Sequence, residues 1–327
     1  MKKSNEKILF VHYSFTSFIK KDYEILDKHF NVNKLTWKGK RNLFSIARNV
    51  LKSDIALSWF AGDPAAIMVF FSRLFGKRSI VIVGGFEVAN IPDFDYGQFS
   101  EGWIKRFLTK YALKKADLVL PVSKFTKDEI NKIVKPRQVQ VLYNGIDTEK
   151  FKPSGKKKNI VLIIGNVTRQ GIKIKGLETF ARASNHFPDH EFVVIGKYEK
   201  ESMERLKEIN HKLTFTGLIS HDEVLKWLQQ AKIYCQLSYV ESFGMGVAEA
   251  MSCECIPIVT KRGALPELVG DKGFFVEYDD NKSTINAIEK AMKVDIDFKK
   301  QYRERIISDF NIKNREKNLL DLIIPSS

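Results

Sequence analysis

Residues 233–251 read IYCQLSYVESFGMGVAEAM, and the change of character within this stretch sets the architecture. Ile233–Leu237 is a short run of apolar and strand-forming residues. Gly244 and Gly246 argue against a helix running through the middle, while the following VAEAM favours one. The expected order is strand, loop, then a helix beginning near Gly246 or Val247. Such a helix start leaves backbone N–H groups unbonded and places the positive end of the helix dipole at the loop, which makes an anion site. The glycines would let a ligand approach the backbone closely.

The same alternation extends outward in both directions. In the second half, strands are expected at Asn159–Ile164, Glu191–Ile195, Leu213–Phe215, Ile256–Val259 and Phe274–Val276, with helices at Lys175–Asn185 and Lys200–Ile209. In the first half the strand candidates are Ile8–Tyr13, Asn31–Leu35, Ile55–Phe60, Ser79–Val83, Leu118–Pro121 and Val139–Leu142, with helical patterns such as Ala65–Leu74 and Gly102–Lys115. Continuous apolar runs such as Ile80-Val81-Ile82-Val83 suit strands buried on both faces of a parallel sheet. The pattern predicts an α/β protein of two Rossmann-like doubly wound domains, over residues 1–150 and 151–327, with the last helix returning to the first domain. The polar stretch Asn144–Asn159, NGIDTEKFKPSGKKKN, reads as the linker. A ligand cleft is expected between the carboxyl ends of the two sets of strands.

Composition narrows the class. The 327 residues are 44% hydrophobic and 28% charged, which is globular. No apolar run approaches the roughly 18–20 residues of a membrane span. The lead-in MKKSNEK reads as charged residues before a first strand and not as a signal peptide, so a cytoplasmic protein is expected. Cys235, Cys253 and Cys255 are odd in number and set among apolar residues, which implies no disulfide framework. Cys253-Glu254-Cys255 lacks a second ligand pair, and the six histidines are scattered, so no metal site is expected. Residues 1–150 hold 26 Lys and Arg against 15 Asp and Glu, so most of the net charge of +15 lies in the first half. An acidic partner, nucleic acid or anionic membrane, fits that asymmetry, as does a solvated basic surface.

Two groups of charged residues carry candidate chemistry. Glu241 precedes the glycine-bearing loop and Glu249 lies in the first turn after it. Either alone would read as a solvated loop residue or a first-turn acid; with the preceding strand and both glycines, they fit two parts of one ligand. A carboxylate accepts paired hydrogen bonds well from vicinal sugar hydroxyls. Arg169 and Lys175 lie six residues apart in the loop after Asn159–Ile164, and two cations facing a helix start suit a diphosphate. His12-Tyr13-Ser14-Phe15-Thr16-Ser17 after the first strand has no glycine, which argues against a dinucleotide-dependent dehydrogenase.

With these residues in view the sequence resembles family 4 of the retaining glycosyltransferases, which have the GT-B fold. Glu241 and Glu249 match that family's glutamates separated by seven residues, within E-S-F-G-x-x-x-x-E-A-M. Arg169 and Lys175-Gly176 match its basic pair, and Asn144-Gly145-Ile146-Asp147 with Phe151 and Pro153 its interdomain signature. Gly263-Ala264-Leu265-Pro266-Glu267 resembles its G-x-x-P-E turn. The resemblance is strong over about residues 110–280. It implies a UDP- or GDP-linked sugar donor as substrate, no cofactor and no metal, and a glycan or lipid-linked acceptor. It further implies that Glu249 holds the donor ribose, that Glu241 and the amides around Phe243, Gly244, Met245 and Gly246 contact the transferred sugar, and that Arg169 and Lys175 hold the diphosphate. The leaving phosphate would help to deprotonate the acceptor on the same face, which preserves the anomeric configuration.

The sequence departs from the pattern in the first domain. Where many members carry a histidine, it reads Val83-Gly84-Gly85-Phe86-Glu87; Gly85 is expected to supply a close backbone approach to the donor and Glu87 a polar contact. Gly102–Lys115, GWIKRFLTKYALKK, is a basic amphipathic helix with Trp103, Phe107 and Tyr111 on one face. It reads either as a helix packed by that face with solvated lysines outside, or as a contact with anionic membrane. A sugar-nucleotide epimerase or phosphorylase of similar fold and a basic nucleic-acid-binding protein are the competing readings. The latter lacks any recognised DNA- or RNA-binding motif, so no nucleic-acid partner is expected.

Overall fold

The computed structural model describes residues 3–39 and 42–324. The chain forms two compact units, one of Met1–Gly145 with Arg315–Ser327 and the other of Ile146–Asn314.

In the first unit five parallel strands, β1 (Lys7–His12), β2 (Asn31–Thr36), β3 (Ile55–Trp59), β4 (Arg78–Val83) and β5 (Leu118–Pro121), lie in the order β2-β1-β3-β4-β5. The central strands β3 and β4 are buried on both faces, as their unbroken apolar sequences require. Helix α1 (Ser17–His29) follows β1; α2 (Leu43–Leu51), α3 (Asp63–Leu74), α4 (Trp103–Lys115) and α5 (Lys124–Ile133) follow in turn. Ile46 and Val50 of α2, Met68 and Val69 of α3, Ala112 and Leu113 of α4 and Ile130 of α5 share one core with Leu9, Ala56, Val81 and Val119 of the strands. These helices therefore form a single layer over one face of the sheet.

The second unit has six parallel strands, β6 (Lys158–Ile164), β7 (Glu191–Ile195), β8 (Thr214–Gly217), β9 (Ala231–Gln236), β10 (Ile256–Thr260) and β11 (Phe274–Val276), in the order β11-β10-β9-β6-β7-β8. Its helices are α6 (Arg169–Lys175), α7 (Leu177–Ser184), α8 (Lys200–Ile209), α9 (His221–Gln230), α10 (Met245–Ser252), α11 (Leu265–Val269), α12 (Asn281–Met292) and α13 (Ile296–Asp309). The final helix α14 (Ile312–Ile323) carries the chain back to the first unit. There Arg315 donates to both carboxylate oxygens of Asp22 at 2.6 Å and to the carbonyls of Leu142 and Tyr143 at 3.0 and 2.7 Å. Trp59 Nε1 donates to the same carboxylate at 2.9 Å, so the buried ion pair has its hydrogen bonds filled.

Four expectations are corrected. Val139–Leu142 is not a strand: it runs beside β5 but closes one bridge, Val119 with Val139, because Pro121 has no N–H with which to continue the ladder, although the Leu142 N–H still donates to its carbonyl. The helix expected over Lys175–Asn185 is present as α7 but begins only at Leu177, and the loop expected between Arg169 and Lys175 is a helix, α6. Thr168 caps α6 by accepting from the Gly171 N–H at 3.0 Å, and Gly176 ends it at φ 64°. The residues after Gly145 are no free linker. The Ile146 N–H donates to the Phe310 carbonyl at 2.8 Å, Phe151 is buried, and Arg303 donates to the carbonyls of Thr148 and Phe151. Finally, α4 packs by only the C-terminal part of its expected apolar face, where Leu108 and Tyr111 rest against the core. Thr109, Ala112 and Leu113 are buried beside them, while Trp103 and Phe107 in the first two turns are exposed.

Candidate functional site

From β6 the chain of the second unit steps outward to β7 and β8, then returns to lay β9, β10 and β11 on the other side. The switch point thus falls between β6 and β9, and the loops after these two strands part there, which is where open α/β sheets bind ligands. The loop after β6 runs from Gly165 to Thr168, and that after β9 from Leu237 to Gly244. These are the two segments that the sequence singled out.

Close backbone packing fixes both loops. Gly196 lies so near Gly165 that a Cβ on it would be 2.4 Å from the Gly165 carbonyl oxygen. The Tyr239 N–H donates to the Ile174 carbonyl at 2.9 Å, which ties the β9 loop to α6. The Ala264 N–H donates to the Glu241 carbonyl at 2.8 Å, and Gly263 touches the Glu241 backbone, so the turn before α11 holds Glu241 in place.

Lys175 and Glu241 meet across the switch point, Nζ to Oε2 at 2.8 Å, with both side chains part-buried. The same oxygen accepts from Gln236 Nε2 at 3.2 Å and Ser238 Oγ at 3.3 Å, and Tyr234 Oη donates to Gln236 at 2.9 Å. This chain of side chains holds the ammonium and the carboxylate in one geometry, as a preorganised site needs. Burial pushes the Tyr234 phenol up, the charges of Glu241 and Glu249 add to that, and it remains a donor. It also fixes Gly246, since a Cβ there would lie 2.4 Å from Tyr234 Oη.

Gly244 caps α10 at φ 97°, and the first bond within the helix is from the Ala248 N–H to the Gly244 carbonyl at 3.0 Å. The amides of Met245, Gly246 and Val247 precede that bond and are left unused by the helix. Phe243 is buried against the Phe310 ring, with centroids 5.7 Å apart. Glu249 is buried in the same helix and bonds through Oε1 to His221 Nε2 at 3.0 Å; the His221 ring lies 5.0 Å from that of Phe151.

The structure therefore brings Lys175 to Glu241 and sets Phe243–Gly246 and Glu249 on the adjoining loop and helix. Arg169 stands at the other end of α6, exposed. It pairs with no carboxylate among the described residues, and its backbone N–H is taken by Glu199 at 3.2 Å. Gly85 belongs to the first unit, at the end of β4. There the Glu87 carboxylate turns inward and accepts from the amides of Gly84 and Gly85 at 2.9 Å and of Ala61 at 3.3 Å. The Gly85 amide is thus spent on Glu87, and the polar contact expected of Glu87 with a ligand is instead one with its own backbone. Burial pushes the Glu87 carboxyl up, against the opposing pull of these amides. Sequence reading missed Tyr234, Gln236, Ser238 and His221. The capping box at Ser220 and Glu223, which starts α9 at His221, was the available signal for the last of them. Among the described residues, no three His, Cys, Asp or Glu side chains are grouped to hold a metal ion, and no helix is long and apolar enough to cross a membrane.

The architecture recurs in solved structures. HepE of Anabaena, in complex with UDP and glucose, superposes over 98% of this chain and 99% of its own with a TM-score of 0.78 at 15% identity. The fold is that of the GT-B glycosyltransferases. The family described as glycosyl transferases group 1 matches residues 146–309, half of the chain, and glycosyltransferase family 4 matches residues 32–150. The chain belongs to the glycosyl transferases group 1 family. Among curated relatives, a phosphatidylinositol N-acetylglucosaminyltransferase component of Arabidopsis thaliana is 26% identical over 196 residues, 57% of this chain and 44% of the relative. An N-acetylgalactosaminyltransferase of Campylobacter jejuni, named for a diphospho-undecaprenol substrate, is 24% identical over 252 residues, 73% of this chain and 67% of the relative. The matched part of this chain thus spans less than half of the first relative and two thirds of the second.

Proposed function

We propose that the chain transfers a sugar from a nucleoside-diphosphate sugar to a glycan or lipid-linked acceptor, with retention of the anomeric configuration and without a metal ion. The observation that carries this reading is the Lys175–Glu241 pair held at 2.8 Å at the switch point, beside the unused amides that open α10. A diphosphate laid on those amides would bring its negative charge to Lys175, which stabilises charge growing on the leaving phosphate. Glu241 would then release part of its hold on Lys175 to a hydroxyl of the transferred sugar. Glu249, with Oε1 engaged by His221, has Oε2 to accept from the donor ribose. Arg169 would reach the diphosphate only by swinging from its exposed position. The relatives' names, with phosphatidylinositol in one and diphospho-undecaprenol in the other, favour a lipid-linked acceptor. The site of action we infer is the cytoplasm, at the inner face of a membrane.

The test is direct. Titration calorimetry with UDP and GDP should show binding of one of them, and incubation with the matching sugar donors should yield a product whose anomeric proton coupling matches that of the donor. An inverted product would end the retaining assignment, and binding of neither nucleotide would end the reading as a whole.

A further inference from the structure

The loops after β9, β10 and β11 leave the same carboxyl edge of the second sheet as the loop after β6, and among them stands a cation that the proposed chemistry does not use. Arg262 follows the last residue of β10 by two positions. Its guanidinium carbon lies 4.2 Å from the centroid of the Tyr239 ring and 5.4 Å from that of Tyr278. The two rings meet edge to face, with centroids 5.0 Å apart and planes at 88°, so they form a corner with Arg262 seated in it. Both tyrosines are fastened to α6. Tyr278 Oη donates to the Lys173 carbonyl at 2.9 Å, and the Tyr239 backbone N–H donates to the Ile174 carbonyl at 2.9 Å. Arg262, Tyr239 and Tyr278 are all half-buried, so the corner is a fixed part of the edge and not a loose surface contact.

Contact with aromatic rings steadies a guanidinium but occupies none of its N–H donors. Arg262 makes no ion pair and no side-chain hydrogen bond among the described residues. The carboxylates beyond the end of β11 are engaged elsewhere: Glu277 faces Lys261 at 3.4 Å, and Asp279 accepts from Thr179 Oγ1 at 2.8 Å and lies 3.6 Å from Arg182. A planar cation fixed by two rings, with its fork of donors open, suits a carboxylate or phosphate from a ligand. Its place indicates which. A Cβ on Gly263 would lie 2.2 Å from the Glu241 carbonyl oxygen, and Tyr239 stands two residues before Glu241, so Arg262 flanks the carboxylate proposed for the transferred sugar. All of these groups belong to the second unit. We infer that Arg262 is a specificity residue that takes the carboxylate of an acidic sugar, so that the donor is a nucleoside-diphosphate hexuronic acid. The inference rests on the proposed sugar transfer and adds the charge of the sugar to it: Lys175 answers the diphosphate and Arg262 the acid, two anionic groups of one donor.

The experiment is titration calorimetry of the full chain with UDP, UDP-glucose and UDP-glucuronic acid, and with GDP, GDP-mannose and GDP-mannuronic acid, in the absence of acceptor. Within the nucleoside that binds, the acidic donor should bind at least about tenfold more tightly than the neutral one, the low end for a hydrogen bond to a charged group. Arg262→Gln should weaken the acidic donor about 10–100-fold and leave the bare nucleoside diphosphate unchanged. A merely structural role would weaken all three ligands together. Arg262→Lys keeps the charge without the fork and should restore part of the preference, which reads the role of the side chain even if Arg262→Gln lowers the melting temperature. Equal or tighter binding of the neutral donor, with the nucleoside diphosphate still bound, would overturn the inference and leave the reading as a sugar transferase standing. A preference for the acid that survives in Arg262→Gln would overturn it as well, since another residue would then hold the carboxylate. Binding of neither nucleoside diphosphate would end both.

Discussion

Glu241 and Glu249 are separated by seven residues, yet they sit on opposite sides of the α10 start and have different partners. Glu249→Ala removes the acceptor proposed for ribose; nucleotide affinity should fall about 10–100-fold, the size of a lost hydrogen bond to a charged group. Unchanged affinity in calorimetry would sink the assignment. Lys175 and Arg169 should no longer behave alike. Lys175→Ala takes away a cation already aimed at the site and should lower turnover at saturating donor about 10²–10³-fold. Arg169→Ala removes an exposed cation and should cost less than tenfold; equal losses in the two variants would show that Arg169 moves in when donor binds. The glutamates and Lys175 were readable because one strand–loop–helix unit, or two adjoining ones, holds each of them at a fixed spacing. Gln236 and Ser238 were not, because polar residues at a strand end look like ordinary solvated positions until the chain folds. Nor was Gly85, where the deciding fact is the inward turn of Glu87.

Among elements, the short helix α6 depends on its termination. A Cβ on Gly176 would lie 2.3 Å from the Leu237 carbonyl oxygen, and its φ of 64° is unfavourable for any other residue. Gly176→Ala should therefore destabilise the chain by more than about 1 kcal/mol, read as a lower denaturation midpoint, and should also displace Lys175. Helix α14 is partly held by Glu316, which accepts from Lys28 at 2.7 Å and His29 at 2.8 Å; these bonds pull its carboxyl below the ordinary value of 4.5. The stability it contributes is complete above about pH 4.5 and is lost as the pH falls through the lowered folded value. Glu316→Gln should cost about 0.2–1 kcal/mol near neutrality. The gap from the unaltered chain should close in acid, and a gap that stays constant with pH would exclude the ionic contribution. The alternation of strands and helices was legible from apolar runs and periodicity. How much of the apolar face of α4 is covered was not, because amphipathic spacing marks a face without saying where its packing ends.

At the scale of the whole molecule the proposed chemistry rests on fixed cations and amides, so activity should persist in excess chelator; loss on chelation with recovery on adding a divalent ion would refute this. Strand order lay beyond the sequence, since nothing in an apolar run says which neighbour it will pair with, and it is this order that places the two chosen loops at one switch point. The fold has one more consequence, which concerns the growing chain on the ribosome. The sheet of the first unit is complete once β5 has been made, but Arg315, which answers the buried Asp22 carboxylate and the carbonyls of Leu142 and Tyr143, is made only after the entire second unit. That is roughly 170 residues later, about 10–30 s at ordinary elongation rates. For that interval the Asp22 carboxylate is without its guanidinium partner and keeps only the Trp59 indole N–H as a donor. The first unit can therefore close around Asp22 only after α14 has been made, so its last step of folding waits on the second unit.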